Sequence, residues 1–415
     1  MGEPRADVVV VGAGLLGLAA ARALLRRRPG TRLVVLEAED RIAAHQSGRS
    51  SGVVHRGLYY APGSLKGRLC VSGAEALLRY CDERELPYRL CGKLVVATSE
   101  AELPRLEELH RRGRANGVPG LELVDRARLR ELEPHVAGVR ALYSPQTGIV
   151  DFVRVAEALA RDVAAAGGEV LTGREVRGIA RRRGGVVLET PAGEVEARHV
   201  VVCAGVRADR LAVLDGGSRE PRIVPFRGDY WVLRGSARRL ARGLVYPVPD
   251  PAFPFLGVHT TPRLDGSTWL GPNAVLALAR DGYGRWSVRP RDLWDALSAP
   301  GFRRLARRHW RAGTAELARD WSRRLLAREA RRLLPELRAA DLAPGPAGIR
   351  AQALAPDGSL LDDFVFQGDE HVLHVRNAPS PGATSSLAIG EEIAATAQRA
   401  FGLGRDLSRP YGVGA

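Results

Sequence analysis

The sequence predicts an α/β fold in which a nucleotide-binding domain is interleaved with an α+β domain built on an antiparallel sheet. Three observations predict it: a valine run closed by a glycine-rich turn at the start of the 415-residue chain, a block of antiparallel strand signals over roughly 221–275, and an apolar strand ending in Ala204-Gly205. Val8-Val9-Val10-Val11 reads as a strand buried on both faces. Gly12-Ala13-Gly14-Leu15-Leu16-Gly17 then opens a helix expected over 18–25. In this spacing Gly12 makes the tight turn, Gly14 admits a pyrophosphate to the main chain, and Gly17 lets helix and strand pack closely. A second strand, Leu33–Leu36, ends in Glu37, twenty residues past Gly17. A carboxylate there accepts hydrogen bonds from a ribose and repels a 2′-phosphate, which argues against NADP. The nucleotide domain is therefore Rossmann-like.

Composition narrows the class. The hydrophobic fraction is 45%, ordinary for a globular chain, and the length suits two domains. Net charge is +15, yet only Lys66 and Lys93 are lysines among 62 basic residues. The arginines are not interleaved with aromatics in a nucleic-acid pattern, so no nucleic-acid partner is expected. The four cysteines form no C-x-x-C pair, no metal ligand set is expected, and reduced thiols in a cytoplasmic protein fit best. No signal peptide is expected, because the first strand begins by Val8.

After Glu37, a canonical dinucleotide domain would proceed to another βα unit. Instead the segment 45–60 carries small residues, hydroxyls and an expected aromatic-rich strand ending in Tyr59-Tyr60. That suits an extended dinucleotide whose ring system lies over the segment, so FAD fits better than NAD. Helices are expected over 65–85, 101–116, 127–133 and 152–166, with Asp151 as an N-cap. Strands follow at 169–172, 176–180, 186–190 and 195–198, and a further apolar strand at 199–205 closes the block. The antiparallel block has strands at 223–233, 244–247, 255–261 and 268–272, with Asp265-Gly266 as a hairpin turn. Residues 291–337 read as helical and arginine-rich, followed by strands at 348–354 and 371–375 and a helix over 387–401. The expected division is 1–90, 147–215 and 345–415 for the nucleotide domain, and 91–146 and 216–344 for the substrate domain.

Taken together, the stretches resemble one family. They are His45-Gln46-Ser47-Gly48, Ser51-Gly52-Val53-Val54-His55, Tyr59-Tyr60-Ala61-Pro62-Gly63-Ser64-Leu65-Lys66, Cys91-Gly92-Lys93, Pro225-Phe226-Arg227-Gly228-Asp229-Tyr230, Tyr246-Pro247-Val248-Pro249-Asp250-Pro251, Phe255-Leu256-Gly257-Val258-His259, Gly271-Pro272-Asn273-Ala274-Val275, Gly348-Ile349-Arg350-Ala351-Gln352 and Asn377 to Ser385. The chain resembles the L-2-hydroxyglutarate dehydrogenase (oxidase) family of the FAD-dependent D-amino-acid oxidase superfamily. One departure is Arg56, where such proteins commonly carry a small residue; placed near the active site, it would alter substrate fit.

The resemblance implies oxidation of L-2-hydroxyglutarate to 2-oxoglutarate, with a hydride passed to FAD, a base taking the hydroxyl proton, and a site for two carboxylates. His55 is the leading base and His259 the rival. Arg350, isolated between Ile349 and Ala351 on a G-x-R strand, is expected to grip one carboxylate bidentately. Tyr230, Arg227, Tyr60 and Lys66 are candidates for the other. Gly12, Gly14, Gly17 and Glu37 take the adenosine-diphosphate half. Ser47, Gly48 and Ser51 meet the pyrophosphate or flavin, Val176 and Gly205 lie near the adenine, and Gly382, Ala383, Thr384 and Ser385 open a helix whose dipole favours a reduced flavin. The alternative is an FAD-dependent oxidase of another 2-hydroxy acid, an amino acid or an amine. Residues 302–332 read as an amphipathic helix pair packed on the domain; the sharper expectation is a patch on the inner membrane surface that meets a quinone, O2 being the other acceptor.

Overall fold

The computed structural model describes residues 6–250 and 257–403. Its first sheet has a parallel centre. Ala6–Val11 lies between Leu33–Leu36 and Gly193–Val202, with Glu169–Leu171 beyond the former and Val372–Asn377 beyond the latter. The valine run alternates between two cores. Val8 and Val10 face helices Leu15–Arg27, Leu65–Glu83, Phe152–Ala165 and Ser386–Ala400. Val9 and Val11 face the other layer, with Val186, Leu188 and Leu211. Burial on both faces explains the unbroken apolar run. Gly193–Val202 is one strand serving two partners. Its first half pairs antiparallel with Gly185–Thr190, and its end pairs parallel with Val372–Asn377.

Segment 45–60 departs from expectation. Only Val53–Val54 is extended, pairing with Gly148–Val150, and the remainder runs through turns and loop. Gly52 and Gly57 hold positive φ values of 76° and 90°, which no continuous strand accommodates.

Among the described residues the second sheet has nine strands. Its spine is the antiparallel pair Arg222–Leu233 and Leu342–Leu354, in register from Arg222↔Leu354 to Leu233↔Leu342. Lys93–Ala97 joins by parallel pairing with Leu244–Pro247, which brings the insertion 91–146 onto this sheet. His259–Pro262 and Thr268–Gly271 form the hairpin around Asp265-Gly266. The strand expected over 255–261 is seen from His259; residues 251–256 lie outside the described residues, as do 404–415. The last long strand begins at Leu342, not 348, and stays in the second sheet to Leu354. The return to the first sheet therefore falls after 354 rather than at 345. Pro344, Gly345 and Pro346 hid the start of this strand from pattern reading, since proline donates nothing to a ladder. The arginine-rich block resolves into helices Pro290–Ser298, Pro300–Arg308, Trp310–Trp321 and Arg323–Ala330. Among the described residues no helix is long and apolar enough to cross a membrane.

Candidate active site

The glycine loop is built by close approach. Gly12 has φ of 105°, and a Cβ on it would lie 2.5 Å from the Cys203 carbonyl oxygen. A Cβ on Gly17 would lie 1.9 Å from the Gly12 carbonyl oxygen. Side chains at either position would force strand and helix apart. Glu37, buried at the end of its strand, accepts Ala13 N–H at 2.7 Å and Glu39 N–H at 3.1 Å. It thus braces the loop as well as lining the cavity beside it. Ser47 Oγ accepts Leu15 N–H at 3.0 Å, capping the first helix, and stands 3.1 Å from where a Gly14 Cβ would be. These are the features of a cradle for a pyrophosphate at a helix N-terminus.

A cavity of about 680 Å³ runs from this loop to the second sheet. Gly12, Gly14, Gly17, Glu37, Ser47 and Ser51 line one end, with Val176 and Gly205 beside them. Gly382, Ala383 and Thr384 line its floor. Thr384 Oγ1 donates to the Val53 carbonyl at 3.0 Å and accepts His55 N–H at 3.1 Å, tying the C-terminal segment to the base segment. Two expected members stand behind the wall. Gly48 is closed by a turn onto the Ala43 carbonyl, 2.4 Å from where its Cβ would be. Ser385 packs against Gly73 of the neighbouring helix. A residue beside a ligand contact in sequence need not share its direction when the backbone turns.

The other end is walled by His55, His259, Tyr230 and Arg350, with Tyr59, Tyr60, Tyr246 and Lys66. Arg350 is half-buried; desolvation by the surrounding protein lowers its pKa, and Nη1 donates to the Asn273 carbonyl at 3.5 Å. His259 Nδ1 lies 2.8 Å from the Gly257 carbonyl. A carbonyl only accepts, so Nδ1 carries the proton in the neutral ring and Nε2 holds the lone pair. Its ring stacks on Tyr246 at 3.8 Å and 17°. Burial, with Lys93 nearby, lowers both histidines to about 3, so both are neutral bases at neutral pH. Tyr230 is raised by burial, with Arg350 opposing the shift.

Two expectations change here. Arg56 is buried but donates through Nε to the Gln146 carbonyl at 2.8 Å, and it does not line the cavity. Any influence of Arg56 on substrate fit would have to pass through Gln146 rather than by direct contact. Arg227 is likewise buried in ion pairs with Asp229 and Asp320, each at 3.0 Å, so its charge is already matched. Lys66 remains at the wall but holds Asp362 at 2.6 Å. Sequence reasoning missed Lys93, Tyr59 and Tyr246 as members of the wall and its backing. The signal was present: both lysines in this arginine-rich chain are buried beside the cavity.

The family model described as FAD dependent oxidoreductase matches residues 7–396. The chain is 48% identical to the mitochondrial L-2-hydroxyglutarate dehydrogenase of Nematostella vectensis, covering 96% of this chain and 91% of that one. It is 45% identical to the Homo sapiens enzyme (96% and 89%) and 41% identical to that of Indibacter alkaliphilus (95% and 99%). Its fold matches the L-α-glycerophosphate oxidase of Mycoplasma pneumoniae with FAD bound, at a TM-score of 0.77 and 23% identity over 95% of each chain. Glycine oxidase from Geobacillus kaustophilus gives a TM-score of 0.70 at 22% identity, again over 95% of each chain. With a glycine loop at one end of a cavity that reaches the second sheet, and with a matching family model and near-full-length relatives, the chain is an FAD-dependent oxidoreductase and belongs to the L-2-hydroxyglutarate dehydrogenase family.

Proposed function

We propose that the chain oxidises L-2-hydroxyglutarate to 2-oxoglutarate. The observation that carries this reading is one cavity joining the glycine cradle to two neutral imidazoles and the Arg350 guanidinium. FAD, when bound, supplies the hydride acceptor. Gly12, Gly14, Gly17 and Glu37 would hold its adenosine-diphosphate half, Ser47 and Ser51 the middle, Val176 and Gly205 the adenine side, and Gly382 to Thr384 the floor. Arg350 grips the α-carboxylate through its planar fork. Tyr230, Tyr60 and Lys66 receive the distal carboxylate. The hydroxyl proton passes to one of the imidazoles, His55 or His259, so that the carbon–oxygen bond becomes a carbonyl as the α-hydrogen leaves with its electron pair. His259 has the fixed tautomer and His55 the tie to the floor. Residues 1–90, 147–215 and 355–415 form the cofactor domain in this reading, and 91–146 with 216–354 the substrate domain.

The reading is tested by an anaerobic spectrum of the holoenzyme before and after L-2-hydroxyglutarate, with the D-isomer as control. Bleaching with the L-isomer alone is expected; unbleached flavin overturns the substrate assignment.

We also assign the electrons to a quinone reached at the face of the inner membrane from the cytoplasmic side. Supporting this, Trp286, Trp294, Trp310 and Trp321 are 59–78% exposed. Trp294, Trp310 and Trp321 stand in the arginine-rich helices and Trp286 in the turn before them, an arrangement suited to an anionic lipid surface. Co-sedimentation with anionic vesicles, abolished by Arg307→Glu with Arg308→Glu, is the expected result; protein left in the supernatant overturns it.

A further inference from the structure

Lys93 has no place in the chemistry so far, yet it is 2% exposed on the strand Lys93–Ala97, beside the cavity. Parallel pairing sets this strand against Leu244–Pro247, bringing Lys93 beside Tyr246. Its Nζ lies 3.7 Å from the Tyr246 ring centroid and 4.3 Å from that of Tyr59. Such contacts stabilise an ammonium without neutralising it. His259 stacks on the same Tyr246 ring.

We propose that Lys93 is a positioning residue: clamped against Tyr59 and Tyr246, its charge adds to the burial of the site in keeping the His55 and His259 imidazoles unprotonated until a dianionic substrate arrives to offset it. This rests on the reading of the site as a dicarboxylate oxidase. Among the described residues, the groups facing His259 are Lys93, Arg350, the Gly257 carbonyl and the Tyr246 ring. Those around His55 are Lys93 and His259, with its backbone amide held by Thr384 and the Cys70 thiol at its carbonyl. Tyr59, Tyr230, Tyr246 and Cys70 are all kept neutral by burial, so Lys93 and Arg350 are the charges acting on the pair. Burial lowers Lys93 itself to about 7. It is therefore charged through the range in which an ordinary imidazole would take a proton, and its repulsion acts where it is needed. A substrate carrying two carboxylates brings the opposite sign, raises the proton affinity of the imidazoles and so strengthens the base only when there is something to deprotonate. A neutral molecule would not.

The test follows the histidine rings of the 15N-histidine-labelled holoenzyme by NMR from pH 2.5 to 8, with His55→Gln and His259→Gln for assignment. Glutarate, which has both carboxylates and no hydroxyl to oxidise, is the probe. In the parent both rings titrate near 3 and are neutral from pH 5 upward, and glutarate raises the titration point of at least one. Lys93→Met raises a histidine titration by one pH unit or more, a tenfold gain in proton affinity, while Lys93→Arg keeps it within half a unit. The acid limb of the pH profile for flavin reduction by L-2-hydroxyglutarate moves with it. Lys93→Gln serves the same comparison should Lys93→Met fail to fold. Unchanged titrations in the neutral variants, or equal shifts in Lys93→Met and Lys93→Arg, overturn the proposal. Because the rings are read without turnover, that failure is distinct from a parent enzyme that L-2-hydroxyglutarate does not bleach.

Discussion

The glycine loop and the wall around Arg350 face each other across one cavity and are made in opposite ways. The loop's contacts are mostly main chain: Gly17 against the Gly12 carbonyl, Gly12 against that of Cys203, and Ala13 N–H to Glu37. Its glycines come from six consecutive residues. The wall is made of side chains from separate strands and loops: His55 after Val53–Val54, Tyr230 on Arg222–Leu233, His259 at the start of His259–Pro262, and Arg350 on Leu342–Leu354. A site made of backbone tolerates almost no added atom, whereas a site made of side chains can lose one function and keep its shape. Steric exclusion sets the first half and chemical identity sets the second.

The contrast can be broken at its strongest point. Gly17→Val puts atoms where only 1.9 Å is open. Loss of flavin, with poor folding, is expected, and the absorbance of the purified protein reads it; a flavinated, stable Gly17→Val variant would refute the steric account. On the other side, alanine at whichever of His55 and His259 is the base should slow flavin reduction about 100- to 10,000-fold with FAD retained. The other alanine should cost far less, and stopped-flow reduction separates them. Arg350→Lys replaces a fork by a point charge and should raise KM roughly 10- to 100-fold, consistent with the 1.5–3 kcal/mol of a charge-assisted hydrogen bond. Steady-state kinetics with unchanged KM would return Arg350 to a packing role.

Two smaller effects sharpen the comparison. Both histidines sit near 3 in the fold against an ordinary 6.5, so the unfolded chain binds more protons below pH 6.5. Stability contributed by their neutral burial is present above 6.5 and is lost as pH falls toward 3, by at most about 1.4 kcal/mol per pH unit for each ring. Thermal unfolding of His259→Gln should show a shallower acid slope than the parent. Arg56→Ala should leave KM within about twofold while lowering the melting temperature, because its buried hydrogen bond to Gln146 is lost and it does not line the cavity. A large KM change would restore the expectation that Arg56 shapes the substrate site.

What could be read in advance follows the same division. The valine run, the Gly12-Gly14-Gly17 spacing and Glu37 were legible because each is a local consequence of one strand–turn–helix unit. Arg350 was legible through its isolation between Ile349 and Ala351. Arg227 and Arg56 were not, since nothing local says whether a buried guanidinium meets a carboxylate, a carbonyl or a cavity: Asp320 lies 93 residues from Arg227, and Gln146 lies 90 from Arg56. The strand from Leu342 was masked by its prolines and glycine, and the turns of 45–60 were mistaken for strand because small polar residues suit either.

The sequence by itself determined the α/β class, the interleaving of two sheets, the nucleotide cradle and the arginine and histidines worth testing. These depend on periodicity, on glycine sterics and on residue chemistry, all of which act within a few residues. Only the tertiary structure decided which charges are spent on each other and which face the cavity. It alone set Lys93 against Tyr246, through a parallel pairing between strands about 150 residues apart, and stacked His259 on the same ring. Electrostatic environment depends on neighbours through space, and the fold, not the local chain, chooses them.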